Sequence, residues 1–414
     1  MAVSAAVRAR SSTLAVGFAL FTTLLTSNGP SPLYVIFQKR FGFAASSLTA
    51  VFAIYAVAVL ITLVVVGRLS DVIGRRRVMF AAVLCLVTSA ALFAGARDLA
   101  WLFAARAVQG VGTGAMTAAA TAALVELDPE RDRQRASLVN TSAFLGGAAL
   151  GPLLFGSLAE YLPWPTVLPF VADILLLSIG LLGLRTVPET VDRHADVARW
   201  QLQRPRVPRP VLAPFALAGV VVALSWSVGA LFASLGPSIN RQLLHVKSHA
   251  AAGLVLFMFF ALGGVGQLAL RRWTSRRAMG SGALCVGTGM ILVYVSFVSR
   301  SVPLFLLGTV LAGVGSGLGF MGSLTLINEI APPLRRAELV SAFNVVGYIA
   351  LSMPVVGVGY LAAPLGLEGA TGVFTAGVVL LAISALIAVL CAPAHPLEQL
   401  TPGELEELGL TTTG

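Results

Sequence analysis

The chain has 414 residues, of which 57% are hydrophobic and 11% charged, with a formal net charge of +10 and a mean hydropathy of +0.89. Soluble domains carry about 25% charged residues, so a soluble globule and a charged, disordered chain are both excluded. Cys85, Cys285 and Cys391 each fall in or at the end of an apolar run, which reads as small packing residues and implies no disulfide framework.

Apolar stretches of about 20 residues recur along the chain, each long enough to cross a bilayer as a helix. Lipid cannot satisfy exposed backbone polar groups, so helices are required. Twelve spans are predicted near 14–36, 47–68, 78–95, 100–124, 136–160, 165–184, 211–233, 250–270, 279–298, 303–327, 337–361 and 371–392. The first follows Arg8 and Arg10, as a signal peptide would. Asn28-Gly29-Pro30 is a poor cleavage site, and further spans follow, so it reads as a retained helix.

Arginine placement sets the expected orientation. With the N-terminus inside, one face receives Arg68, Arg75 to Arg77, Arg131, Arg133, Arg135, Arg185, Arg271, Arg272, Arg276, Arg277, Arg335 and Arg336, plus the arginines between 193 and 209. The other receives only Lys39, Arg40, Arg97, Arg241, Lys247 and Arg300. This is the positive-inside pattern, with both termini cytoplasmic. The positive charge is therefore a topology signal, and its division among short loops speaks against nucleic acid as a partner. The longest basic segment, near 186–210, is placed to lie on anionic membrane lipid.

Between the second and third spans runs Gly67-Arg68-Leu69-Ser70-Asp71-Val72-Ile73-Gly74-Arg75-Arg76-Arg77. One acid and several arginines in a glycine-framed turn read as a latch at the membrane face. Glu126, at the end of the fourth span, is the expected partner of Arg75. The plainer alternative is that the arginines only enforce topology and hold lipid phosphates. The turn resembles the cytoplasmic signature loop of the major facilitator superfamily, with Val72 where that family has a basic residue. The resemblance implies that Gly67, Asp71, Gly74, Arg75, Arg76 and Glu126 form a gating latch closed in the outward-facing state, with Asp71 near the start of the eleventh helix. In the second half, Leu270 is expected in the place of Asp71 and Trp273 in that of Gly74.

The fourth span holds Arg106, followed by Gln109, Gly110, Gly112 and Gly114. An arginine inside a membrane helix is costly unless it faces protein or water. Gly110 and Gly114 share one helix face and allow close helix contact. The pattern is similar to the family's fourth-helix signature, which implies a cavity-facing Arg106 linked to proton coupling. Arginine does not release its proton at neutral pH. Asp173, in the sixth span, is the acid nearest the middle of any span. Burial disfavours the charged form of a carboxyl, and a nearby guanidinium favours it. Two readings stay open for Asp173, proton coupling and a structural hydrogen bond to a neighbouring helix, since sixth helices in this family's fold are peripheral.

The fifth span contains Gly147, Gly151, Pro152 and Gly156. Proline removes a backbone donor and kinks the helix, and the glycines allow close packing. An ordinary kinked helix would look the same. The run resembles the family's antiporter signature, with Phe155 in place of one glycine, and this implies export by proton antiport.

The second half echoes the first. Gly29-Pro30-Ser31 returns as Gly236-Pro237-Ser238, and the glycines from Gly110 to Gly114 return as Gly313 to Gly317. Glu126 with Pro129 returns as Glu329 with Pro332. The fold class expected is an all-α membrane protein of two pseudo-symmetric six-helix bundles. The expected domains are a cytoplasmic segment 1–11, a bundle 12–185, a linker 186–210, a second bundle 211–392 and a cytoplasmic tail 393–414.

The resemblance places helices one, four, seven and ten around a cavity. Candidates for a small-molecule substrate wall are Phe21, Asn28, Gln109, Trp226 and Phe320, with Asn140 and Asn344 from helices five and eleven; each is also an ordinary packing residue. His245 and His249 have helical spacing, but no acid or cysteine stands near them, so no metal is expected. No Walker motif and no Ser/His/Asp arrangement is present, so no enzyme activity is expected. The function expected is a secondary active transporter, drawing on a proton gradient without a cofactor, exporting drug-like or amphipathic molecules as a monomer. The alternatives are a proton symporter or facilitator for a small metabolite, and a non-transporting membrane sensor or scaffold.

Overall fold

The computed structural model describes residues 2–128, 132–191, 207–242, 248–332 and 335–392. Most of the 186–210 linker, the 393–414 tail, His245 and the surroundings of Gly67 lie outside the described residues. The described chain is all-helical, in order α1 (Ala2–Asn28), α2 (Tyr34–Phe41), α3 (Ala45–Ile73), α4 (Arg75–Ala94), α5 (Leu99–Leu127) and α6 (Arg133–Tyr161). It continues as α7 (Leu168–Leu184), α8 (Leu212–Gln242), α9 (His249–Ala269), α10 (Ser275–Ser299), α11 (Val302–Ile330) and α12 (Arg336–Cys391). Nine of these helices are long and apolar enough to cross a membrane. With α1, the shorter apolar α7 and the two arms of α12 counted separately, twelve spans result.

Two predicted spans end differently from expectation. The first was drawn through to residue 36, but α1 stops at Asn28 and a short 3-10 turn, Ser31–Leu33, leads into α2. Pro30 lacks a backbone N–H and disfavours helical geometry in the residue before it, so the helix cannot run on. The eleventh and twelfth spans were separated by a loop at 362–370. Instead the helix runs through it, broken only at Gly366, whose φ of 69° and ψ of 171° lie where other residues are strained.

By contacts the chain forms two compact units, Met1–Leu202 with Ala233–Phe257, and Gln203–Phe232 with Met258–Gly414. The end of α8 from Ala233 and the start of α9 to Phe257 thus group with the first unit. In that unit α1, α4, α5, α6 and α7 converge on a buried core containing Leu20, Met79, Leu86, Met116, Leu124 and Leu177. Helix α7 shows how a span divides its faces. It buries Phe170, Asp173, Leu177 and Leu184 and exposes Val171, Leu175, Ile179 and Leu182. An apolar row open on one side at helical spacing is what a lipid-facing surface requires.

The glycines of α5 and α11 do the same work in each unit. A Cβ at Gly110 would lie 2.5 Å from the Tyr55 carbonyl oxygen, and one at Gly114 2.8 Å from that of Val59, both on α3. In the second unit Gly313 meets the Phe259 carbonyl at 2.5 Å, and Gly317 packs on Gly263, both on α9.

Candidate functional site

Helix α3 ends at Ile73 and α4 begins at Arg75, so Gly74 alone makes the turn. Its φ of 108° is a conformation that favours glycine. The turn sets Arg75 on the preceding helical stretch, where its guanidinium pairs with Asp71 and, at 3.2 Å, with Glu126 of α5. Asp71, Arg75 and Glu126 are therefore brought together within the first unit. Arg76 donates to the Arg185 carbonyl at 2.7 Å.

Two further residues join the turn that the sequence did not single out. Glu189 Oε1 accepts the backbone N–H of Arg75 at 2.8 Å and fills the space that a Cβ on Gly74 would need. Thr190 donates its hydroxyl to the second oxygen of Glu126. The acid of Pro188-Glu189-Thr190, just past the sixth span, was the available signal.

In the second unit the expected register is off by one residue. Thr274 caps α10 as Gly74 caps α4, so Gly74 corresponds to Thr274 rather than Trp273. Arg75 then corresponds to Ser275, while Asp71, inside α3, has no fixed counterpart because α9 stops at Ala269, five residues before α10. Ser275 donates to Glu329 at 2.9 Å, repeating the Arg75–Glu126 contact with a neutral donor.

Arg106 of α5 is wholly buried. Its Nε donates to the Tyr34 hydroxyl, and its Nη1 to the Gln109 side chain and, at 2.8 Å, to the Ser27 carbonyl. The rings of Tyr34, Phe52, Tyr55 and Phe93 surround it with centroids 5.2–5.8 Å from Cζ, a cation–π cage. Nη2 has no partner, and among the described residues no carboxylate pairs with this guanidinium. Gln109 is also wholly buried and passes the network on, donating to the Thr26 carbonyl at 2.9 Å.

Thr26 is the hinge of this cluster. Its hydroxyl oxygen lies 2.8 Å from the Thr22 carbonyl and 2.8 Å from Asp173 Oδ1. Asp173 is wholly buried, and its Oδ2 has no partner. A chain of hydrogen bonds thus runs from Asp173 on α7 through Thr26 on α1 and Gln109 to Arg106 on α5. Thr26 and Tyr34 were missed, since a threonine or tyrosine in an apolar helix is unremarkable until its distant partner is known.

On α6, Gly147 and Gly151 pack against the backbone of α1 at Phe21 and Leu25. Gly156 meets α9 instead: a Cβ there would lie 2.5 Å from the His249 carbonyl and 3.2 Å from the Gly253 Cα. Pro152 lies inside α6 and its carbonyl faces Gly253. Glu160 accepts the His249 backbone N–H at 2.7 Å. No group of three or more metal-ligating side chains occurs among the described residues.

The candidate cavity residues fall in both units. In the first, Phe21 lies 6.3 Å from Phe18, ring to ring. Asn28 donates to the Leu24 carbonyl at 3.2 Å, and Asn140 accepts from Thr121 at 3.2 Å. In the second, Trp226 sits 5.9 Å from Phe320 and edge-on to Tyr348 at 5.0 Å, with Phe343 beyond Phe320 at 6.3 Å. Asn344 follows Phe343 on α12. Tyr348, one helical turn past Asn344, extends this aromatic wall and was not anticipated.

An all-helical chain of lipid-exposed spans with ionic groups sealed inside it is a multi-pass integral membrane protein of the transporter type. The profile of the Major Facilitator Superfamily matches residues 16–353, and the chain belongs to that family. Members of this family are membrane transporters rather than enzymes. The chain is similar to the puromycin resistance protein pur8 of Streptomyces alboniger, with 37% identity over 152 residues, which is 36% of this chain and 30% of pur8. It is similar to the multidrug efflux pump LfrA of Mycolicibacterium smegmatis, with 36% identity over 143 residues, 34% of this chain and 28% of LfrA. The chain thus spans under a third of the length of these relatives. A crystal structure of a POT family transporter in complex with a thioalcohol conjugated peptide shares the fold, with a TM-score of 0.75 at 13% identity, covering 91% of this chain and 95% of that one.

Proposed function

We propose that this transporter works by alternating access and exports drug-like or amphipathic small molecules in exchange for inward-moving protons. The observation that carries the reading is the proton count at Thr26. Its single hydroxyl hydrogen faces two acceptors, each at 2.8 Å. A single hydrogen cannot make both contacts as full two-centre bonds, and the pair is best satisfied when Asp173 carries a proton on Oδ1 and donates it to Thr26, which then donates to Thr22. The unpartnered Oδ2 fits the same state, because a buried neutral carboxyl tolerates an orphan oxygen better than a carboxylate does.

Asp173 is then the proton carrier and Arg106 the fixed cation that senses it. Loss of the proton creates a buried carboxylate that balances the otherwise unpaired guanidinium, to which it is linked through Thr26 and Gln109, and the new attraction between the two drives rearrangement. One proton supplies about 2.3 kcal/mol per 100 mV and about 1.4 kcal/mol per pH unit, a cargo gradient of several hundredfold with no further cofactor. Asp71, Arg75 and Glu126 latch the cytoplasmic side, both termini are cytoplasmic, and the monomer suffices. The aromatic wall around Trp226 and Phe320 suits amphipathic cargo. The names of pur8 and LfrA support export.

A second reading follows from Arg106 having no carboxylate of its own. An anionic cargo that paired with it would bind together with the proton, and the cycle would be symport. Everted vesicles separate the two: antiport of an amphipathic dye such as ethidium releases lumenal protons, whereas symport carries protons with the cargo. Asp173→Asn should abolish the proton-linked flux. A folded Asp173→Asn variant that still moves dye uphill with proton flux excludes this role for Asp173.

A further inference from the structure

The loop between α9 and α10 is the second unit's counterpart of the latch turn, but five residues part the helices where Gly74 alone does so in the first, and its chemistry differs. Ser275 stands in the place of Arg75, no acid lies in the loop 270–274, and Glu329 accepts from the Ser275 hydroxyl. Arg271, Arg272, Arg276 and Arg277 remain. Among the described residues none of the four meets a carboxylate, and Arg276 donates instead to the Leu390 carbonyl. Arg271, Arg272 and Arg277 are exposed, and so is Trp273 in their midst, at 38%.

The loop joins two bilayer-crossing helices, so it lies at headgroup depth. Arginines there, with an indole whose ring prefers the interface, match one ligand class by charge and by depth. We propose that this loop is a binding site for the phosphate headgroup of an anionic phospholipid. The guanidiniums fork onto the phosphate oxygens, and Trp273 packs on the glycerol and upper acyl region. The first turn of α10 adds backbone N–H groups, since Thr274 caps only that of Arg277. The second bundle thus exchanges an internal clasp for an external one that holds lipid.

The full chain, purified in detergent, is incubated with fluorescent phosphatidylglycerol or phosphatidylcholine, and the retained lipid is measured. Wild type should retain phosphatidylglycerol preferentially. Arg271→Gln/Arg272→Gln should weaken that retention about thirty-fold, and Arg77→Gln in the first unit should change it little. Thermal melting of each variant confirms that it is folded. Unchanged retention in the double variant overturns the site. Displacement of the lipid by millimolar inorganic phosphate overturns it too, by showing a free-phosphate site. A truncation after Ala392 that raises retention severalfold would show that the acidic tail, with Glu398, Glu404, Glu406 and Glu407, is the occupant, and it also overturns the proposal.

Discussion

Thr26→Val is the most discriminating change to make in this protein. Valine keeps the shape of threonine and deletes the hydroxyl. Thr26 is buried and Asp173 wholly so. The substitution removes the 2.8 Å contact to Asp173 and leaves both carboxyl oxygens without partners. If Asp173 is protonated, the loss is that of a buried neutral bond, about 1–3 kcal/mol. If it is ionised, the loss is larger, about 3–5 kcal/mol, because an uncompensated charge stays buried. Asp173→Asn keeps an N–H that can donate to Thr26, so it should lose less stability than Thr26→Val. Reversible denaturation in mixed micelles, followed by far-ultraviolet circular dichroism, gives the free energies. Infrared spectroscopy gives the protonation state directly, as a carboxylic-acid carbonyl band lost in Asp173→Asn. A Thr26→Val protein as stable as wild type, or the absence of that band, refutes the protonated pair.

Three other outcomes follow from the geometry. Gly110→Ala should lose about 1–3 kcal/mol, because its Cβ would meet the Tyr55 carbonyl at 2.5 Å and Ala58 at 2.6 Å. Gly236→Ala, with nothing within 4 Å, is the control, and equal melting temperatures for the two would refute the tight α3–α5 crossing. A double-mutant cycle of Arg75→Gln with Glu126→Gln should give a coupling of about 0.2–1 kcal/mol that shrinks with added salt; a salt-independent coupling would contradict the exposure of Glu126. Gly74→Ala should cost about 1–2 kcal/mol in backbone strain and also expel Glu189, whereas Gly366→Ala carries strain alone. Identical losses at these two positions would show that Glu189 has no weight in the turn.

What the sequence revealed and what it hid divide by distance along the chain. The latch turn was legible because its acid and arginine are four residues apart, and hydrophobic length alone exposed the spans. Arg106 was legible because a lone charge in an apolar run violates the local rule. Its partners were not. Thr26 meets Asp173 across 147 residues, and Glu189 meets Arg75 across 114. Nothing local distinguishes Thr26 from Thr22 or Thr23, both of which bond to their own helix. The off-by-one twin register has the same origin. The sequence sets Gly74 against Trp273, whereas the helix starts, marked by the caps Gly74 and Thr274, set it against Thr274.

That correspondence also separates the chemistry of the two repeats. Both keep the glycine rungs of α5 and α11, because close packing of the helices is needed twice. The ionic groups are not kept: Arg106 corresponds to Thr309, a buried residue bonded only to the Phe305 carbonyl, and Arg75 to Ser275. The first unit therefore holds the buried cation and the buried acid, and the second offers rings in their place, with Trp226, Phe320, Phe343 and Tyr348 in mutual contact. A symmetric pair of charged bundles would incur the desolvation cost of buried ions twice. Confining the buried ions to one repeat leaves the other free to pack rings in their place. On this account, moving the charge by the pair Arg106→Thr and Thr309→Arg does not restore proton-linked flux, because Thr309 has no counterpart of Asp173 to answer it.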